Sequence, residues 1–163
     1  MGQQTEEMKA MTRKNISNYP CSVSRTLNII GDQWSILIVL ASFRGIDTFS
    51  GLLERLGISR NILTARLDNM VSNNILEKIP VSSTRSRYVL TPSGKELLPT
   101  LMTLMQWGDK WLAEGKGEPL RVLDKENHAP IQKTGVVSRT GKFLELDDLI
   151  FENGPGFILA DDD

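Results

Sequence analysis

Residues 48–71 read TFSGLLERLGISRNILTARLDNMV, and the stretch contains two helices with a two-residue break between them. Thr48 is an N-cap residue for the first, whose Phe49, Leu52, Leu53 and Leu56 recur at helical spacing, and Gly57 is placed to end it. Ser59 caps the second, in which Ile62, Leu63, Leu67, Met70 and Val71 make an apolar stripe. Two helices joined by so tight a turn form a helix-turn-helix. Away from the stripe project Arg60, Asn61, Thr64, Ala65 and Asp68, small or polar and grouped near the N-terminal end.

Downstream, Asn73-Asn74 supplies a left-handed stop, Leu76 to Val81 reads as a strand, Ser82 to Ser86 as a polar loop, and Arg87 to Thr91 as a returning strand. A hairpin in this place is a wing. Upstream, Pro20 and Ser22 open a helix with Val23, Leu27 and Ile30 on one face, broken by Gly31-Asp32. A central helix follows, with Trp34, Leu37, Ile38 and Ala41 as its apolar side. Thr91-Pro92 then starts one long helix as N-cap and first residue. Its Leu97, Leu98, Leu101, Met102, Leu104, Met105, Trp107, Trp111 and Leu112 occupy most of its circumference, more than one small domain buries. A partner chain is therefore expected on Leu101, Leu104, Met105, Trp107 and Trp111.

The expected organisation is a flexible 1–19, a winged helix DNA-binding and dimerisation domain over 20–114, and an acidic, β-rich appendage over 115–163. The fold class is mainly α with a small β-hairpin wing. With 40% apolar and 24% charged residues the chain has the composition of a globular protein. Its longest apolar run, Trp34 to Phe43, is too short for a membrane span, and Met1 to Lys14 lacks a signal-peptide core, so a cytoplasmic location is expected. The net charge of −1 conceals a division: Leu52 to Lys95 carries seven basic and three acidic residues, Glu114 to Asp163 six and eleven.

A helix with short polar side chains in its first turn can enter the major groove, where base edges distinguish all four pairs. Arg60, Asn61 and Thr64 are the expected readers of sequence. Ser59 caps the helix and can also bond a phosphate. Arg66 lies at the flank of the stripe, where a phosphate contact and an internal ion pair are both open. Arg85 and Arg87 sit on the wing, on one side by strand alternation, within reach of phosphates or a narrow minor groove. Catalysis finds little support: the lone His128 has no matching nucleophile, and no phosphate loop or metal motif is present, so neither cofactor nor metal is expected. Cys21, the single cysteine, stands just before a helix, where its thiolate can be stabilised, although a lone cysteine also serves as a small buried apolar residue.

Taken together, Cys21-Ser-Val-Ser-Arg-Thr-Leu-Asn-Ile-Ile-Gly-Asp-Gln-Trp34, Phe49-Ser-Gly-Leu52, Ile58-Ser-Arg-Asn-Ile-Leu-Thr-Ala-Arg-Leu67 and Tyr88-Val-Leu-Thr-Pro-Ser-Gly94 resemble the HxlR family of transcriptional regulators over about Cys21 to Leu112. The resemblance implies a MarR-like winged helix homodimer on double-stranded DNA, joined through its N- and C-terminal helices. It also implies a redox- or electrophile-sensing role for Cys21. Gln33 stands where the family commonly has Lys, and Gly51 replaces a common Glu. The tail from Leu120 to Gly156 is similar to the zinc-ribbon-like extension of some members, with Val137 and Thr140 in place of its second cysteine pair. The resulting expectation is a regulator, repressor before activator, on a pseudo-palindromic operator, with an effector still to be named. The alternatives are a winged helix used as a protein-interaction module and, further off, a cysteine-dependent enzyme.

Overall fold

The computed structural model describes residues 21–157. The segment 1–19, Pro20 and the terminal Asp161 to Asp163 lie outside the described residues. Among the described residues four helices come first: α1 (Ser22–Ile30), α2 (Gln33–Phe43), α3 (Phe49–Leu56) and α4 (Arg60–Ser72). A hairpin of β1 (Leu76–Pro80) and β2 (Ser86–Leu90) follows, then α5 (Pro92–Lys95) and α6 (Leu98–Trp111). The appendage holds β3 (Val136–Val137), β4 (Phe143–Leu144) and a 3-10 turn, Leu146–Asp148.

Each boundary has a local cause. Gly31 closes α1 at a point where a Cβ would stand 2.3 Å from the carbonyl oxygen of Leu27, and α2 leaves at 78°. Asp32 caps α2, its Oδ1 accepting from the amides of Trp34 and Ser35 at 3.0 Å each. Gly57 takes φ +64° to end α3, the left-handed conformation that makes the two-residue turn and that a Cβ disfavours. Asn74 takes φ 57° after α4. The hairpin pairs Leu76 with Leu90 and Pro80 with Ser86. A further bridge joins Thr48 to Arg87, so the chain before α3 forms a one-residue third strand on the wing.

The core gathers Ile38 and Val39 of α2, Leu52 of α3, Ile58, then Leu63, Leu67 and Met70 of α4, with Leu76, Tyr88, Leu101 and Met102. Burying such side chains stabilises a fold by roughly 1.5–3 kcal/mol each before entropy is counted. Several expectations change. Ile62 is 40% exposed, because the first turn of α4 extends past the core. Val71 only packs against the core's edge. Leu37 is exposed and Val39 buried: α2 is apolar all round, so periodicity could not choose its inner face.

The expected long C-terminal helix is two helices. Thr91 caps α5 as read, accepting from the amide of Gly94 at 3.1 Å. The break at Glu96-Leu97 precedes Pro99, whose ring cannot coexist with a helical carbonyl four residues back, at Lys95. Along α6 the helical period separates the five residues assigned to a partner. Leu101 is 4% exposed, within the protomer's own core, and Met105, partly buried, packs against that core. Leu104, Trp107 and Trp111 face outward, the tryptophans 54% and 63% exposed. Val23 and Leu27 of α1, also exposed, share an open apolar groove with Ile36, Leu37 and Leu104. No single described helix is long and apolar enough to cross a membrane.

The appendage docks on α6. Gln106 accepts from the amide and the hydroxyl of Thr134 at 2.8 and 2.9 Å and donates to the carbonyl of Gln132 at 3.1 Å. Val122 and Ile131 reach the core. The hairpin turn runs through Ser138 to Lys142 with Gly141 at φ 83°; Val137 ends β3 and Thr140 lies within the turn. Strand content is two residues per strand, less than a β-rich appendage implies.

Candidate nucleic-acid interface

The candidate interface is built on α4. Its buried side, Leu63, Leu67 and Met70, anchors the helix through every turn, which leaves the opposite side free to face outward. Ser59, Arg60, Asn61, Thr64, Ala65 and Asp68 are all exposed. Ser59 Oγ accepts from the amide of Ile62 at 3.3 Å, so the hydroxyl caps the helix. The Arg60 guanidinium lies 5.9 Å over the ring of Phe49, which holds it at the junction of α3 and α4. Asn61 and Thr64 are one turn apart on the exposed side. Ile62, which the stripe pattern placed inside, is 40% exposed at the flank of the helix.

Arg66 lies against the protein. Its Nε is 3.2 Å from Asp32 Oδ1, an ion-pair distance, but the two are not aligned for a hydrogen bond, so the attraction is charge to charge. Of the two readings open for Arg66, the structure displays the internal pair. Asp32 is the hub of this junction: burial alone raises its pKa, yet the hydroxyl and amide of Ser35, the charge of Arg66 and the amide of Trp34 together hold it below the ordinary value of 3.8. A second tie runs beside it, from Asn69 Nδ2 of α4 to the carbonyl of Ile29 at 3.1 Å. Helix α4 is thus fastened to the α1–α2 corner as well as to the core.

On the wing, the two arginines part company. Arg85 precedes β2, in the loop, and its carbonyl accepts from the amide of Val81 at 2.8 Å, leaving the side chain exposed at the tip. Arg87 lies at the base. Its Nε donates to Asp47 Oδ2 at 2.7 Å, and its second nitrogen reaches the same oxygen. That bond and the Asp47 charge push the guanidinium pKa further up. A cleft opens between the N-terminus of α3 and the wing, lined by Thr48, Ser50, Lys78, Thr84 and Arg85. Lys78, Ser50 and Thr84 carry no mark of this neighbourhood in the sequence, since only the fold brings them to one cleft. Lys78 also sits 5.9 Å over the Tyr88 ring.

Cys21 begins the described residues, in a definable setting. It is the half-buried N-cap of α1, its carbonyl accepting from the Ser24 hydroxyl at 2.7 Å. It lines a cleft with Arg25 and the segment Glu152 to Phe157, so the described part of the tail returns to the first helix. His128 is exposed with φ 56°, in a turn where its amide donates to the Asp124 carbonyl at 2.9 Å.

Comparison with known proteins gives a consistent result. The model of the HxlR-like helix-turn-helix family matches residues 29–116. An uncharacterised HTH-type transcriptional regulator of Mycobacterium tuberculosis, Rv3095, is 32% identical over 83% of this chain and 87% of its own length. The crystal structure of PA1607, a candidate transcription factor, superposes with a TM-score of 0.80 at 31% identity, over 85% of this chain and 99% of that one. PA1374 of Pseudomonas aeruginosa, another candidate transcription factor, gives a TM-score of 0.60 at 28% identity, over 83% of this chain and 93% of that one. The chain therefore belongs to the HxlR-like helix-turn-helix family.

Proposed function

We propose that the protein is a transcriptional regulator that binds a pseudo-palindromic operator as a homodimer and acts as a repressor, not as an enzyme. The observation that carries this reading is the exposed first turn of α4, with Arg60, Asn61 and Thr64, beside a basic wing cleft holding Lys78 and Arg85. Base edges are read by the helix; phosphates are held by Arg85, by Lys78, by the N-terminus of α3 and by the Ser59 hydroxyl. The dimer is supported by the open apolar groove of α1, α2 and α6 and by the outward Trp107 and Trp111, both more than half exposed. Two copies joined there present two recognition helices, which suits half-sites one helical turn apart. Cys21 is the group through which an oxidant or electrophile acts. The setting that supports this is the start of α1, beside both that groove and the tail.

The test is a titration of the full chain against DNA from upstream of its own gene and against random DNA, across a salt series, with and without a thiol oxidant. Expected are a clear preference for the upstream DNA and a loss of about 5- to 150-fold in that preference for Asn61→Ala or Thr64→Ala. Oxidation weakens wild type and leaves Cys21→Ser unaffected. Equal binding to both DNAs, or none, sinks the reading in favour of a protein-interaction module.

A further inference from the structure

We infer that Asp47 and Arg87 form a latch that sets the wing against the recognition helix, so that Arg87 is a positioning residue and not a phosphate contact. The inference rests on the DNA-binding reading above and deepens it. Arg87 directs two nitrogens to one carboxylate oxygen, Asp47 Oδ2. The backbone doubles the tie: the Tyr88 amide donates to the Asp47 carbonyl at 2.7 Å, and Thr48 bridges Arg87. The Asp47 side chain is 21% exposed and that of Arg87 56%, so the carboxylate is the sheltered partner.

From this tie a short chain of contacts leads to the reading surface. Asp47 precedes Thr48, whose Oγ1 caps α3 by accepting from the Gly51 amide at 3.2 Å. Phe49, the first residue of α3, carries the Arg60 guanidinium of α4. The wing, the N-terminus of α3 and the first turn of the recognition helix are thereby linked in series. The electrostatics agree. A phosphate contact gains affinity by releasing counterions, and an arginine already neutralised by a carboxylate has little net charge with which to do so. Asp47 lies outside the basic stretch of Leu52 to Lys95, so a charge count over that stretch credits Arg87 with a free charge it does not have. Arg85, whose carbonyl holds the tip while its side chain stays exposed, is left as the wing's phosphate arm.

An exposed pair adds little to global stability, so its removal is read in the wing and in DNA discrimination, not in the melting temperature. The experiment compares the full chain with Asp47→Ala, Arg87→Ala, the double variant, and the exchanged pair Asp47→Arg with Arg87→Asp. Amide hydrogen exchange of the wing is followed without DNA, and titrations on specific and random DNA are run across a salt series. Expected are faster exchange of the Tyr88 amide in both single variants and an equal loss of about three- to fivefold in preference for specific DNA. The double variant falls no further, the exchanged pair recovers the preference, and the salt slope of Arg87→Ala matches wild type. A salt slope reduced by about one in Arg87→Ala, with tighter binding in Asp47→Ala, overturns the latch in favour of a phosphate contact. If wild type binds no DNA, the regulator reading fails by itself. Exchange then decides the latch alone, and unchanged exchange in both single variants removes it.

Discussion

Replacing Asp32 by Ala tests whether the α1–α2 corner holds α4, the proposed reading helix, in place. One carboxylate there serves three functions. Its Oδ1 accepts from two amides at the start of α2, its Oδ2 accepts from the fully buried Ser35 hydroxyl at 2.6 Å, and Arg66 of α4 lies 3.2 Å away. Losing an N-cap costs about 1 kcal/mol, and stranding a buried hydroxyl costs about 1–3 kcal/mol. The sum is about 2–4 kcal/mol, which for a domain of this size lowers the melting temperature by roughly 6–12 °C. Denaturant and thermal unfolding at fixed protomer concentration measure it, since the stability of a dimer varies with concentration. The pH dependence supplies a sign. The folded-state pKa of Asp32 is depressed, so its contribution is complete above the ordinary value of 3.8 and drains away as pH falls through the lower folded value. The gap between wild type and Asp32→Ala is therefore constant near neutrality and narrows below about pH 4. Asp32→Asn, which keeps the cap but not the charge, loses less. A deficit under about 0.5 kcal/mol at neutral pH, or one that persists unchanged in strong acid, refutes this account of the corner.

Other substitutions separate packing from assembly. Gly94→Ala places a Cβ 2.2 Å from the Ile75 carbonyl oxygen and 3.0 Å from Leu90 Cδ2, and the Ile75 backbone cannot give freely, so a loss of about 1–3 kcal/mol is expected in denaturant unfolding. Gly57→Ala strains the turn between α3 and α4 at φ +64° and costs about 1–2 kcal/mol, read the same way. Leu101→Ala empties a core site and destabilises by about 2–5 kcal/mol, while Leu104→Glu leaves helical content unchanged and shifts sedimentation from dimer to monomer. A Leu104→Glu protein that still sediments as a dimer removes the α1, α2 and α6 groove from the proposed interface.

Short-range chemistry determined much of this protein from its sequence alone. Thr48, Ser59 and Thr91 name the starts of α3, α4 and α5, and Gly57 and Asn74 name stops, because caps and left-handed residues act over three or four positions whatever the rest of the chain does. The exposed Arg60, Asn61 and Thr64 were legible for the same reason: a stripe on one side of a helix defines the other. Only the tertiary structure decided which side of the uniformly apolar α2 is buried, that Ile62 is left partly exposed, and that Leu101 is buried with Met105 packed against the core while Trp107 and Trp111 face outward. It alone paired Arg66 with Asp32 and Arg87 with Asp47, residues 34 and 40 positions apart. An isolated charge carries no mark of its partner in sequence. Side-chain type and spacing specify what a residue can do locally, but the fold chooses which distant group occupies its reach.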